Sequence, residues 1–243
     1  MNRENILDNL KVKLIALAEE KGWLDATLKV ECSALSSEEA IGTPLEQDYP
    51  IQRGKETMLQ VSFLGSKGQA FSREVYQSRT ASLQEVLALP LDSDGHRALL
   101  IAAANALFAE AGVVDRTIHC RNQEPAECAK LLSEITAGER VALFGLQPRF
   151  LEKLKELGSV RCVDIDPDVI GTSPSGILIE PAENTDEVIA WAERILVTGS
   201  ATVNDTFFKF LDTDKPLHVF GTTGAAVSSL LGLTRYCKMA QPR

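Results

Sequence analysis

In the opening stretch NRENILDNLKVKLIALAEEKG, Leu7, Leu10, Leu14 and Leu17 recur at intervals of three and four. That spacing lays one apolar stripe along a helix, and Gly22 after the last turn is a stop signal. The text then changes period. ATLKVECSAL and ETMLQVSFLG are rich in β-branched residues and alternate, which predicts strands, with a turn at GSKGQ and two helices after it. The second of these, DGHRALLIAAANALFAEAG, is apolar around most of its circumference, so it should be central to its domain.

From Val141 onward a different grammar takes over. RVALFG leads into the helical PRFLEKLKELG, and VRCVDID follows. NTDEVIAWAERI predicts a helix feeding the strand ILVTGS, TVNDTFFKFL the next helix, PLHVFG the last clear strand and AAVSSLLGL the last helix. Apolar runs alternating with helices of this length mean βαβ units and a parallel sheet. The predicted class is therefore α/β: a small α+β domain over 1–137 followed by a parallel-sheet domain over 138–243. The boundary is placed in AGER, where Gly138 ends the helix begun at Pro125 and opens the first parallel strand.

A chain of 243 residues can bury one large core or two small ones. Its formal net charge of -9, with no Lys/Arg cluster, excludes a nucleic-acid partner, which needs a basic stripe to displace counterions. No apolar run approaches the length needed to span a bilayer, and the N-terminus lacks the apolar core of a signal peptide. The expectation is a cytoplasmic protein with a small-molecule ligand and no membrane partner, with a homodimer left open. The five cysteines are scattered and odd in number, as thiols or metal ligands rather than a disulfide framework. Cys32 and Cys162, set among strand residues, read as core.

In an open parallel sheet, ligands bind outside the carboxyl ends of the strands, so the residues after each strand carry the chemistry. They are GLQP from Gly145, DIDPD from Asp164, TGSATVND from Thr198 and GTTGA from Gly221. The candidate ligand contacts are Gly145, Gln147, Gly199, Ser200, Asn204, Thr222 and Thr223, with Asp164 and Asp166 as ligand-orienting or acid/base carboxylates. Thr202 or Ser200 is the expected helix cap after Thr198. FGLQPRF keeps only the first glycine of a dinucleotide fingerprint, and Pro148 removes an N–H that a phosphate would use. NAD is therefore not expected, whereas a nucleoside-like ligand is compatible with Asp164 at the end of the second strand. Each loop also has a plain reading as a cap or turn.

One stretch, TIHCRNQEPAECAKLL, concentrates sulfur and imidazole. In a strand, His119 and Cys120 would project to opposite faces and could not share an ion. With a helix starting at Pro125, Cys128 would lie in the first turn, where the helix dipole favours thiolate. Three readings stand: a transition-metal site using His119, Cys120 and Cys128, with Cys237 as a further ligand; a reactive thiol; or junction packing. Asn105, an amide in the apolar helix, must find partners and either contacts a ligand or staples a loop.

Taken in order, SRTASLQEVLALPL, AAANAL, TIHCRNQEPAECA, ALFGLQPRF, DIDPDVIG, WAERILVTGSATVNDT and FGTTGAAVSSLLGLTRYC resemble the motifs of the family named for heavy-metal chelation. The resemblance implies an enolase N-terminal-like domain joined to a Rossmann-like domain, with a cleft between them. It further implies some likeness to methyltransferases and an enzyme or binding protein that condenses, hydrolyses or modifies a metal-chelating, pterin-like or flavin-like compound. The alternative it leaves is a non-catalytic heavy-metal-binding or metal-responsive protein.

Overall fold

The computed structural model describes residues 6–32, 36–74, 77–136 and 138–241. Helix α1 (Ile6–Lys21) forms where the leucine stripe predicts it and buries Leu7, Leu10 and Leu14. Strands β1 (Thr27–Cys32), β2 (Thr57–Phe63), β3 (Ser66–Ser72) and β4 (Arg79–Ser82) form an antiparallel sheet in the order β3-β2-β1-β4. The turn expected at GSKGQ falls earlier, at Leu64 and Gly65, and Ser66 to Gln69 are already strand, paired with β2. The core reading of the Cys32 side chain lies outside what is described.

Short helices α2 (Ser37–Ile41) and α3 (Leu83–Ala88) start on serine caps. Helix α4 (Asp94–Glu110) is buried along nearly its whole length, as its all-round apolar sequence predicts. One side lies on β2 and β3, and the other meets α1 (Ile6–Lys21) and α9 (Ala225–Leu231). The contact with β3 is flush: a Cβ at Gly68 would stand 2.3 Å from both the Ala102 carbonyl oxygen and the Ala106 nitrogen. These are helix backbone atoms with little freedom to move, so Gly68→Ala should push sheet and helix apart and cost about 2 kcal/mol. Urea unfolding measures that loss, and an unchanged midpoint would show that the packing is looser than described.

The parallel sheet consists of β5 (Arg140–Phe144), β6 (Ser159–Val163), β7 (Ile179–Glu180), β8 (Arg194–Thr198), β9 (Leu217–Phe220) and β10 (Thr234–Tyr236). Their order is β10-β9-β8-β5-β6-β7 and every pairing is parallel. Strands therefore grow outward in two directions from β5, and the order reverses between β5 and β8. That is the 3-2-1-4-5-6 arrangement of doubly wound sheets, whose ligands sit at this switch point. The mixed α/β class read from the sequence is the class observed.

Successive residues of β5 feed opposite cores. Val141 and Leu143 join a cluster with α7 (Pro148–Leu157) and α5 (Glu124–Lys130), while Ala142 and Phe144 join the cluster that runs through α4 to the antiparallel sheet. Two helices differ from expectation. The segment after Pro125 is two short pieces, α5 and α6 (Ser133–Thr136), and α5 begins at Glu124. TVNDTFFKFL is not an α-helix but two 3-10 turns, Gly199–Thr202 and Phe207–Phe210. Between them the Asn204 carboxamide oxygen accepts from the Thr206 N–H and hydroxyl, at 3.2 and 2.6 Å, and Asp205 takes a left-handed φ of 57°. This local turn outcompetes helix propagation. No helix among the described residues is long and apolar enough to cross a membrane.

Candidate functional site at the strand switch point

The strand ends of the parallel sheet and the loops of the N-terminal half enclose a cavity of about 450 Å³. GLQP, DIDPD, TGSATVND and GTTGA all contribute to its wall, as their place after the strands predicts. Rigid aromatic pairs make up much of the rest. Phe144 and Phe210 pack with centroids 4.6 Å apart, Phe150 stands 5.3 Å from Phe220 and 5.7 Å from Tyr236, and Phe71 meets His119 edge-on at 5.2 Å.

The loops touch one another at their glycines. Gly145 has φ 91°, and a Cβ there would lie 2.5 Å from the Thr198 methyl, so the ends of β5 and β8 close directly on each other. A Cβ on Gly199 would lie 2.2 Å from the Gly224 nitrogen. Gly199 is thus a close-approach residue between the β8 and β9 loops and does not line the cavity, contrary to its expected ligand contact. Thr222 is likewise buried behind the wall. Its neighbour Thr223 does line the cavity, and its hydroxyl accepts from the Phe71 N–H at 3.1 Å, tying the loop to β3. The cap of the turn after β8 is Thr198, whose hydroxyl accepts from the Ser200 N–H, rather than Ser200 or Thr202.

Asn105 resolves as a staple. Its amide nitrogen donates to the carbonyls of Gln69 (3.0 Å) and Thr222 (3.1 Å), and its oxygen accepts from the Ala226 N–H (2.8 Å). This buried side chain, together with the Thr223 hydroxyl, fixes the GTTG loop to the antiparallel sheet.

Asp164 is held by three backbone donors: Leu146 at 2.6 Å on one oxygen, Ile165 at 2.7 Å and Asp166 at 2.8 Å on the other. Its carboxylate clamps the β5 loop to the β6 loop while facing the cavity. Asp166 uses one oxygen to accept from the Asp168 N–H. Across the cavity, Lys55 pairs with Asp168 and bridges the two halves. Beside Lys55 stands Glu56, which the sequence reading did not single out. Burial raises its carboxyl to about 7, with Asp164 adding to the shift and Arg73 opposing it. Among the described residues its side chain has no hydrogen bond or ion pair. An acidic residue after Gly54 at the start of an alternating strand carries no sequence signal that separates it from a surface charge. Tyr49 and Phe71 were missed for the same reason: only the fold brings them to the strand ends.

The HCRNQEPAEC stretch is not a strand. Ile118 makes an isolated bridge to Gln241, and the His119 ring nitrogen Nδ1 lies 2.6 Å from the Cys120 carbonyl oxygen. His119, Cys120, Cys128 and Cys237 all reach the cavity wall. Cys128 is the fifth residue of α5, one turn beyond the helix start. Burial pushes its thiol up, outweighing nearby backbone donors, and pushes Cys120 up as well, so burial prevails over the helix dipole that favours a thiolate at Cys128. Burial also lowers the affinity of His119 for a proton. Among the described residues no group of three His, Cys, Asp or Glu side chains is placed to hold a metal ion. Cys162 is fully buried, as read. Cys128 should therefore alkylate with iodoacetamide far more slowly in native than in denatured protein, with EDTA leaving the native rate unchanged. Acceleration by EDTA would show a metal on these thiols.

Residues 128–233 match the DUF364 family, "Putative heavy-metal chelation". That match bears out the resemblance carried by the motifs. A DUF364 protein of unknown function from Pyrococcus horikoshii is 19% identical, with 90% of this chain and 80% of that one aligned at a TM-score of 0.57. A second, from Desulfitobacterium hafniense DCB-2, is 13% identical over 93% of this chain and 81% of that one, with a TM-score of 0.55. At such identities the DUF364 structures share the fold with this chain. A comparison with curated proteins finds no match.

Proposed function

We propose that the protein binds and chemically modifies a small planar organic molecule, of the size of a nucleoside, pterin or flavin ring, in the cavity between its two halves. The observation that carries this reading is the cavity itself. It lies at the strand switch point, has aromatic walls, and presents Glu56, Asp164 and Asp166 among a few hydrogen-bonding groups. Aromatic walls favour a ring, and carboxylates favour ligand hydroxyls or N–H groups.

The loop after β5 argues against a pyrophosphate in the usual place. The Gly145 N–H donates to the Val163 carbonyl, the Leu146 N–H to Asp164, and the Phe150 N–H to the Gln147 side chain, while Pro148 has none. Donors that would otherwise cradle a phosphate are already engaged. The heavy-metal-binding alternative finds less support, because burial disfavours the ionised form of the thiols on the cavity wall and no three ligand side chains among the described residues are placed to hold an ion.

Thermal-shift measurements with pterin, riboflavin, nucleosides and S-adenosylmethionine test the proposal. At least one ring compound should stabilise the protein, and Asp166→Asn should weaken it by about tenfold through loss of a charged hydrogen bond. No stabilisation by any of these compounds would count against the reading.

A further inference from the structure

Glu56 stands apart from every other acidic group around the cavity. Asp164 has three backbone donors, Asp166 one, and Asp168 the ammonium of Lys55. Glu56 has none of these among the described residues, yet it forms part of the cavity wall. The residue is half-buried in that wall. A buried polar group left unpartnered is costly, and such groups ordinarily find a hydrogen-bond partner. At a cavity wall the missing partner is a ligand atom.

The charges that face it say what kind of atom. Asp164 and Asp166 act on Glu56 from the DIDPD loop as like charges, and Arg73 acts from the end of β3 as the opposing cation. Arg73 is exposed, Lys55 is engaged by Asp168, and His119 is disfavoured as a cation by burial. Glu56, Asp164 and Asp166 thus line a space whose remaining cations, Arg73 and Lys209, are exposed, beside the packed aromatic rings of its wall.

Building on the small-molecule reading above, we propose that Glu56 is the proton-exchanging group of this cavity and that its ligand presents a planar amidine- or guanidine-type edge to Glu56, Asp164 and Asp166. A cationic edge binds the ionised form of Glu56, so a neutral Glu56 releases its proton to solvent as the ligand enters. With a neutral, weakly basic edge, the proton passes from the Glu56 O–H to the ring nitrogen, and the ion pair forms in place. Either route leaves one carboxylate opposed to one delocalised cation, the pairing that planar N–H forks make best.

Benzamidine, a flat amidinium charged throughout the range, is the probe. Calorimetric titration between pH 5.5 and 8.5 should show affinity rising by up to tenfold per pH unit below about 7 and levelling above it, the slope of one released proton. Glu56→Gln should bind more weakly at pH 8 and lose the pH dependence. Asp166→Asn, which removes a like charge that raises the Glu56 carboxyl, should move the midpoint of the rise to lower pH. A flat profile in the unaltered protein, a profile unchanged in Glu56→Gln, or no benzamidine binding at any pH would overturn the assignment of Glu56. Those failures are separable from failure of the small-molecule reading, because neutral ring compounds would still stabilise the protein in the thermal-shift series.

Discussion

Replacing Asn105 by alanine should destabilise the protein by about 3–5 kcal/mol and at the same time loosen the wall of the cavity. The side chain is fully buried. Its removal leaves the Gln69 carbonyl and the Ala226 N–H without this partner in a place water cannot easily reach, while the Thr222 carbonyl keeps the Ala225 N–H. Each buried group so orphaned costs about 1–3 kcal/mol, and the small cavity left behind adds to the loss. The effect should reach the site, because Asn105 is the tether between β3 and the loop that carries Thr223. Ring compounds that stabilise the unaltered protein should therefore stabilise the variant less, even at temperatures where it remains folded. A urea midpoint within about 0.5 kcal/mol of the unaltered protein would mean that the amide is dispensable and the loop is held by other contacts.

Glu56→Gln should act in the opposite direction, with an effect that grows as pH rises above about 4.3 and levels above about 7. A carboxyl raised to about 7 in the folded protein, against about 4.3 in an unfolded chain, binds its proton more tightly when folded. The sign follows from linkage: its contribution to stability is fully present below pH 4.3, declines as pH rises, and is lost above about 7. Glutamine mimics the neutral acid and keeps that contribution at every pH. The variant should match the unaltered protein near pH 4 and exceed it by about 2 kcal/mol at pH 8, after allowance for water in the cavity. Urea unfolding at the two pH values measures the difference. An equal gap at both would remove the case for a perturbed carboxyl. A charged group kept in the wall at a cost to stability is the pattern expected of a functional residue.

Much of the fold was legible because local pattern and global arrangement agree. The leucine stripe of α1, the all-round apolar α4 and the strand–helix alternation after Val141 each report burial directly, and the four loops after the strands could be assigned to one edge from that alternation alone. What escaped was set by length or by local competition. β7 has two residues and β10 three, too short for any periodicity to register. The helix expected over TVNDTFFKFL yields to the Asn204 turn, a side-chain effect that hydrophobic spacing does not carry.

The candidate site divides the same way. Gly145, Asp164, Ser200 and Thr223 lie on the cavity wall because strand ends are readable. Gly199 and Thr222 share those loops but serve packing, a distinction that depends on which neighbour each backbone approaches. Glu56 was invisible because nothing near it in sequence shows that a residue of the antiparallel half faces Asp164. For Cys128, the helix dipole and the opposing pull of burial were both legible in kind, and only their relative weight was not.

The central claim is that a flat small molecule occupies the cavity at the strand switch point. Backbone amide chemical shifts of isotope-labelled protein, followed as pterin or benzamidine is added, test it most directly. Saturable shifts should concentrate at Glu56, Gly145, Asp164, Ser200 and Thr223. Shifts confined to other surfaces, or none at millimolar probe, would contradict it.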